Sequence, residues 1–297
     1  LGHSEFGINT DLYSAGLTAI AVIRLNVALE EAFGVPFKVS DIKELGDCSQ
    51  FKFPVIVKPT DRSGSRGITK VSDIKDLESA INVSKEQSFE KMAIVEEYIE
   101  GPEFSCECIS FDGKHEMLTV TQKFTTGAPH FIETGHMEPA DLSDEMYAKI
   151  KSVIFASLDA LKIKFGASHS EFRITPDGEI GIIEIGSRMG GACIGSDLVR
   201  LSTGKDFVKM VIEVASGIKP DLTPCKKPEF AAIRFVFTQK DIDILNNIKE
   251  NYKENLYFVS EIQPIGEHKI VDSGTRYGFY IMTAQTKQQL LKISELQ

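Results

Sequence analysis

The chain has 297 residues, 42% of them hydrophobic and none Trp, with 33 Lys and Arg against 43 Asp and Glu, a net charge of −10. That length gives one large or two ordinary domains with a real core, and the composition excludes disordered, collagenous and coiled-coil classes. An acidic surface repels a phosphate backbone and no apolar run nears the roughly 20 residues of a membrane span, which excludes general nucleic-acid binding and membrane anchoring but not a local basic site for a small phosphate. In chain order, Leu17 to Phe33 reads as a helix stopped by Gly34-Val35-Pro36. Phe53 to Pro59 reads as a β-branched strand, and Thr60 to Gly67 as a turn-rich loop of Gly, Ser, Asp and Arg. Asp73 to Ile81 is a short helix, Ala93 to Tyr98 a strand, and Phe104 to Thr121 a hairpin turning at Asp112-Gly113. Ser143 caps a helix with Asp144 and Glu145 in its first turn and Met146, Ile150, Val153, Ile154, Leu158 and Leu161 at core spacing. Gly166 to Ile174 and Glu179 to Ile185 flank the turn Thr175-Pro176-Asp177-Gly178, a second hairpin. Pro220 to Pro228 reads as a linker into a tail with strands near Phe230 to Phe237 and Arg276 to Thr283.

Five cysteines, Cys48, Cys106, Cys108, Cys193 and Cys225, form an odd set without metal-ligand spacing, which points to a reducing, cytoplasmic setting. They read as buried small hydrophobes rather than nucleophiles. The absence of a charged and then apolar opening segment gives no sign of a secretory leader.

Glu171 and Glu184 stand nearly opposite each other on the second hairpin. Two carboxylates so placed can clamp Mg²⁺, which takes one or two protein carboxylates and leaves its other positions to phosphate and water. The alternative is two solvated glutamates. A plain three-residue loop would pair Ser170 with Glu184 and turn Glu171 to the other face, so the metal reading requires a bulge. Lys58 ends a strand before the Gly/Ser loop, where its ammonium and the loop amides can cradle phosphate, although the sequence lacks a Walker loop ending and a plain surface turn has the same composition. His130, Glu133 and His136 cluster in sequence and fit either a zinc site or a polar substrate pocket. Arg188, among Gly186, Gly190 and Gly191, suits a guanidinium fork on carboxylate or phosphate, or a structural ion pair.

Taken in order, Val57-Lys58-Pro59, the Gly/Ser loop, the stretch Val95 to Glu103, and Glu171 with Glu184 and Arg188 resemble the ATP-grasp superfamily over roughly residues 27–214. The tail through Arg276-Tyr277-Gly278-Phe279 resembles the C-terminal segment of biotin-carboxylase-like proteins. Phe131 to His136, Ser168 to Glu171 and Ile183 to Arg188 most resemble L-amino-acid ligases and their carbamoyl-phosphate-synthetase-like relatives. The resemblance implies an α+β ATP-grasp fold, two α+β subdomains gripping ATP, with a C-terminal α/β extension. It implies the division 1–26, the trailing edge of a domain that precedes ATP-grasp; 27–222, the ATP-grasp domain with subdomains about 27–97 and 98–222; and 223–297, the extension. It implies ATP with Mg²⁺, or Mn²⁺ in its place. In that scheme Lys58 holds the α and β phosphates, and Ser63, Gly64, Ser65, Arg66 and Gly67 fold over the γ phosphate. Glu96, Glu97, Tyr98 and Ile99 meet adenine and Glu103 meets ribose. Glu171 and Glu184 hold the metal, Arg188 faces the acyl phosphate and substrate carboxylate, and Glu133 and His136 line the amino-acid pocket. Two positions depart from the family pattern: Gly186 stands where Asn is usual, and Leu17 to Phe33 contains Arg24 but no lysine.

The activity so implied is an ATP-dependent carboxylate–amine ligase acting through an acyl phosphate on small carboxylate and amine substrates. Phosphorylation of bicarbonate or carbamate, and an ATP-binding module that has lost turnover, are the alternatives. The resemblance also leaves room for a homodimer or for a partner chain that supplies the preceding domain.

Overall fold

The computed structural model describes residues 51–266 and 271–296. The Leu17 to Phe33 helix and the 1–26 segment lie outside the described residues. The chain builds two antiparallel sheets, a three-stranded one in the order β2-β1-β3 and an eight-stranded one in the order β10-β11-β9-β6-β5-β4-β7-β8.

In the small sheet β1 (Val55–Pro59) lies between β2 (Thr69–Val71) and β3 (Ala93–Glu97). Alternation along β1 sends Val55 and Val57 into a core with Leu77, Ile81 and Val95, where helix α1 (Leu77–Gln87) packs. The same alternation turns Lys58 to the other face. The predicted helix from Asp73 opens as a 3-10 turn (Ile74–Asp76) and then runs six residues past Ile81 to Gln87.

The large sheet starts with the predicted hairpin, β4 (Glu103–Phe111) and β5 (Lys114–Thr125), closed by Phe111 opposite Lys114. Its turn residues Asp112 and Gly113 have φ of 52° and 72°, the left-handed pair that a two-residue hairpin turn needs. β6 (Glu133–Glu138) follows, then helix α2 (Asp144–Ala160), whose first turn is capped by the Ser143 hydroxyl accepting from the Met146 amide at 3.2 Å. The second hairpin is β7 (Gly166–Ile174) and β8 (Ile180–Gly186), with Gly178 at φ 80° in its turn.

The two faces of this sheet do different work. Phe104, Cys106 and Cys108 of β4 and Phe172 of β7 join Ile150, Ile154 and Leu158 of α2 in one apolar cluster. The intervening residues, Glu103, Ser105 and Glu107 on β4 and His169, Glu171 and Arg173 on β7, therefore share the opposite face. A π-helical turn (Ile194–Leu198) and the helices α3 (Val199–Thr203) and α4 (Phe207–Ala215) follow that hairpin, and Val199, Phe207 and Met210 pack on Ile109, Leu118 and Ala167.

The C-terminal extension continues the same sheet. β9 (Phe230–Val236) pairs with β6, and β11 (Gly278–Ala284) with β9, while β10 (Leu256–Val259) forms the edge. Helices α5 (Gln239–Asn251) and α6 (Lys287–Ser294), absent from the sequence reading, cover this half through Ile244, Ile248, Leu290 and Ile293. Among the described residues no helix is long and apolar enough to cross a membrane.

Candidate nucleotide and metal site

The required bulge is present. Between Glu171 and Phe172 the β7–β8 register shifts, so Glu171 pairs with Glu184 while Phe172 pairs with Ile182. The extra residue on β8 brings both carboxylates to one face. Glu184 is exposed and has no ion pair or hydrogen bond among the described residues. Glu171 is held through one oxygen only: its Oε1 receives the Lys123 ammonium at 2.7 Å and lies 3.0 Å from His169 Nε2. Oε2 of Glu171 and both oxygens of Glu184 remain uncommitted, an all-oxygen donor set that fits a hard divalent cation with its remaining positions outside the protein.

Lys58 joins this pair from the small sheet. Its ammonium meets Glu96 at 2.6 Å. Burial opposes its charge, but Glu96, with Glu184 and Glu171 beyond it, holds the pKa above the ordinary lysine value. The Ser63 to Gly67 loop is folded shut. Ser65 donates to the Phe131 carbonyl at 3.2 Å, the Ser273 amide donates to the Gly64 carbonyl at 3.1 Å, and Arg66 pairs with Asp272 at 3.3 Å. Gly67, at φ 70°, lies where a Cβ would come within 2.9 Å of Pro59 and 3.0 Å of Gln87, so the loop can fold back past the end of β1 into β2 only with glycine there.

Lys123 is the residue that sequence reasoning missed. Its side chain is 2% exposed and bridges Glu171 at 2.7 Å, Glu133 at 3.0 Å and Glu103 at 3.4 Å. Burial works against its charge, yet the three carboxylates, Glu171 foremost, raise its pKa well above the ordinary value. Reciprocally, burial would raise the Glu171 carboxyl, but Lys123 and then His169 bring it well below the usual range. The only available signal was its place in β5, an inward lysine in the half of the strand whose other members from Leu118 on are apolar or hydroxyl-bearing apart from Gln122.

Glu103, expected at ribose, also takes Arg173 Nη2 at 3.0 Å. Arg173 in turn donates to the Tyr98 hydroxyl at 2.8 Å and the Ile99 carbonyl at 3.2 Å, and Tyr98 stacks on Phe131. The Tyr98 amide is committed to the Pro54 carbonyl at 3.2 Å. Glu97 is exposed at the end of β3.

Glu133 and His136 come together on β6, with Glu133 Oε2 3.7 Å from His136 Nε2. His136 is wholly buried, its ring edge-on to Phe235, and neither ring nitrogen has a hydrogen-bond partner among the described residues. Burial outweighs the pull of Glu133 and lowers its pKa to about 4, so the ring is neutral at pH 7. His130 does not join them: it is exposed and its Nδ1 lies 3.0 Å from the Ile68 carbonyl. Among the described residues no group of three His, Cys, Asp or Glu side chains is placed to hold a metal, which removes the zinc alternative.

His169 is clamped between Glu107 at Nδ1 and Glu171 at Nε2. Burial disfavours its charge, but hydrogen bonds to both carboxylates raise its pKa to about 9. Arg188, on the loop after β8, is exposed, and its one hydrogen bond is to the Met189 carbonyl at 2.9 Å. The arginine side chain lies against Gly186, where a Cβ would touch its Cγ at 3.4 Å and Nε at 3.5 Å. A hydrogen-bonded Ser110, His115 and Asp159 chain at the far end of β4 has the residue order of a nucleophile triad, but Ser110 is fully buried, so it ties the hairpin to α2 instead.

Residues 51–196 match the family model described as ATP-grasp domain, over the strands that carry Lys58, Lys123, Glu171 and Glu184 and the loop that carries Arg188. Residues 51–196 form an ATP-grasp domain. Alanine–anticapsin ligase of Bacillus subtilis strain 168 is 27% identical over 183 residues, 54% of this chain and 38% of its own length. The chain thus spans about two fifths of the curated relatives it matches. Among solved structures, L-amino acid ligase from Bacillus licheniformis superposes with a TM-score of 0.74 at 23% identity, covering 91% of this chain and 68% of that one. Biotin carboxylase from Campylobacter jejuni, solved as a complex with beta-gamma-ATP, gives 0.66 at 17% identity over 90% of this chain and 63% of that one. These likenesses carry the ATP-grasp fold through the C-terminal strands as well. Residues 1–50 match a second family model, described as phosphopantetheine attachment site.

Proposed function

We propose that this chain catalyses ATP-dependent joining of a small carboxylate, an amino acid or its like, to an amine through an acyl phosphate. The observation that carries the reading is the Glu171 and Glu184 pair, aligned by a bulge, with free oxygens close enough to support the Lys58 charge. The named relatives, a ligase of alanine with anticapsin and an L-amino acid ligase, support the same reaction class.

Lys58 and the amides of the Ser63 to Gly67 loop bind phosphate oxygens, while Glu96 to Ile99 and Glu103 flank the nucleoside. Because the Tyr98 amide is already bonded within the protein, adenine recognition in that stretch falls to its other groups. Glu171 and Glu184 would hold Mg²⁺ or Mn²⁺, which would supply neutralisation of phosphate charge. Arg188, exposed and held only by its Nη1 bond to the Met189 carbonyl, takes the substrate carboxylate and steadies the charge that develops on the transferring phosphoryl group. Glu133 accepts the substrate ammonium beside the neutral His136 ring. The loop closed by Ser65, Arg66 and Ser273 keeps water from the intermediate.

Little covalent work falls to the protein, so positioning and charge dominate. The test is ADP release with Mg²⁺ across a panel of amino acids. Amino-acid-stimulated ADP release with a new amide product is expected. Stimulation by bicarbonate alone would replace the reading with the carbamoyl type, and ATP binding without turnover on any substrate would reduce it to a nucleotide-binding module.

For the domain division, the ATP-grasp unit ends near 222 before its 223–297 extension, and its start, at 27 or at 51, depends on which of two readings the N-terminal segment takes. One is the trailing edge of a preceding domain, with a partner chain or second copy supplying the rest. The match of residues 1–50 favours the other, a carrier segment joined directly to Phe51. Phosphopantetheine is attached to a serine hydroxyl, and the segment offers Ser4, Ser14, Ser40 and Ser49. Incubation with coenzyme A and a phosphopantetheinyl transferase, followed by intact-mass measurement, separates them: a gain of one phosphopantetheinyl group assigns the carrier, and an unchanged mass rejects an arm-bearing one. Free thiols at Cys106, Cys108, Cys193 and Cys225 agree with a reducing, cytoplasmic location.

A further inference from the structure

We propose that Glu107 and His169 are positioning residues whose buried pair pins Gly190 and so fixes the 187–193 loop, with Arg188 on it, relative to Glu171 and Glu184. Glu107 is wholly buried on the site face of β4, directly across from His169 on β7. Its two oxygens have separate tasks: Oε1 contacts His169 Nδ1, and Oε2 accepts the Gly190 amide at 2.8 Å. The other ring nitrogen of His169 reaches Glu171. One continuous chain of bonds therefore runs from the metal carboxylate, through an imidazole and a second carboxylate, to the backbone two residues beyond Arg188.

The fit at Gly190 is exacting. A Cβ there would fall 2.7 Å from Glu107 Oε1, 2.8 Å from Ile194 Cγ2 and 2.9 Å from His169 Nδ1. Gly190 is thus a glycine because the loop backbone lies directly on the pair. On its far side the Gly190 carbonyl accepts the Gly195 amide at 3.2 Å, at the start of the π-helical turn, whose Ile194 and Leu198 are packed in the core. Gly190 is the joint between a rigid helical turn and an otherwise free guanidinium. A group that holds the joint sets where the fork of Arg188 stands. Partners one step removed from a metal or transition-state group commonly govern activity by about 10- to 100-fold.

The proposal rests on the ligase reading for Arg188's role, and its test separates the two. Hydrogen exchange is followed in the loop and in strands β4 and β7 for the parent, Glu107→Ala, Glu107→Gln and Gly190→Ala, alongside steady-state kinetics. In the parent the Gly190 amide is expected to be protected. Glu107→Ala should lose that protection and lower kcat by about 10- to 100-fold, with the KM for ATP little changed. Glu107→Gln can still accept from Gly190 through its amide oxygen, and once the Glu107 charge is gone His169 can give up its Nδ1 proton and accept from the amide NH2, so it should restore both readouts. If Glu107→Ala fails to fold, Gly190→Ala should loosen the same loop with β4 and β7 unchanged. The proposal is overturned by a loop equally protected in Glu107→Ala, by a Gln variant as loose as the Ala variant, or by full turnover with a loosened loop. A parent inactive on every substrate pair would overturn the ligase reading instead, while the exchange data would still decide the role of Glu107.

Discussion

Replacing Lys123 with Met is expected to destabilise the protein by about 3–5 kcal/mol at pH 7 and to abolish turnover. The side chain is 2% exposed and is shared by Glu171, Glu133 and Glu103. Removing it leaves three carboxylates on one sheet face with unequal remaining support. Glu103 retains Arg173 and Glu171 retains His169, but Glu133 keeps only the His136 ring, which is neutral at pH 7. The sign of the pH dependence follows from the lowered pKa values of Glu133 and Glu171. Carboxyls depressed on folding contribute stability that is complete above their unfolded value and is lost as pH falls through the folded one. Once they are protonated, Lys123 has no charge to answer, so the gap between parent and variant should narrow as pH drops below the ordinary carboxylate range. Urea denaturation at a series of pH values measures this. A variant within 1 kcal/mol of the parent at pH 7 would mean that Lys123 does not neutralise the cluster.

Why Lys58, Glu171 and Glu184 stood out as candidates in the sequence but Lys123 did not is a matter of range. Lys58 precedes a Gly/Ser loop, and the two glutamates are tied by a short hairpin whose midpoint can be computed, so their relation is local. The need for a bulge was legible for the same reason, because strand parity admits only two outcomes at a given loop length. Lys123 takes its meaning from β4, β6 and β7 arriving beside it, with partners 20, 10 and 48 residues away in sequence. His169 and Glu107, 62 residues apart, were hidden likewise. The C-terminal helices were missed for another reason. In α5 the buried positions Ile244, Leu245 and Ile248 are embedded among Asp, Asn and Lys, so the apolar stripe is thin. Its N-terminal signal, Thr238 with Asp241 accepting from both the Thr238 amide and hydroxyl, is a cap recognisable in sequence that the reading passed over. The tail was legible as strands but not as part of one sheet, since the β9 to β6 pairing joins residues about a hundred positions apart.

The two carboxylates proposed to hold the metal should fail in different ways. Glu184→Ala is expected to leave stability within about 0.5 kcal/mol of the parent, because the side chain is exposed and its one charge partner, Lys58, is held mainly by Glu96. Its ADP release should nevertheless fall by on the order of 10²–10³-fold, the scale for removing one group that stabilises transition-state charge. Glu171→Ala should lose turnover to the same degree and also about 3 kcal/mol of stability, since it strips a partner from both Lys123 and His169. Mn²⁺ titration with ADP present, read by paramagnetic resonance, supplies the measurement that turnover cannot: both variants should bind the ion more weakly, Glu184→Ala with an unaltered unfolding curve. Were Glu184→Ala to bind Mn²⁺ as the parent does, the bulge that aligns the pair would be a feature of the hairpin alone. Were Glu171→Ala as stable as the parent, the Lys123 cluster would be carried by Glu133 and Glu103, and Glu171 would belong to the metal site only.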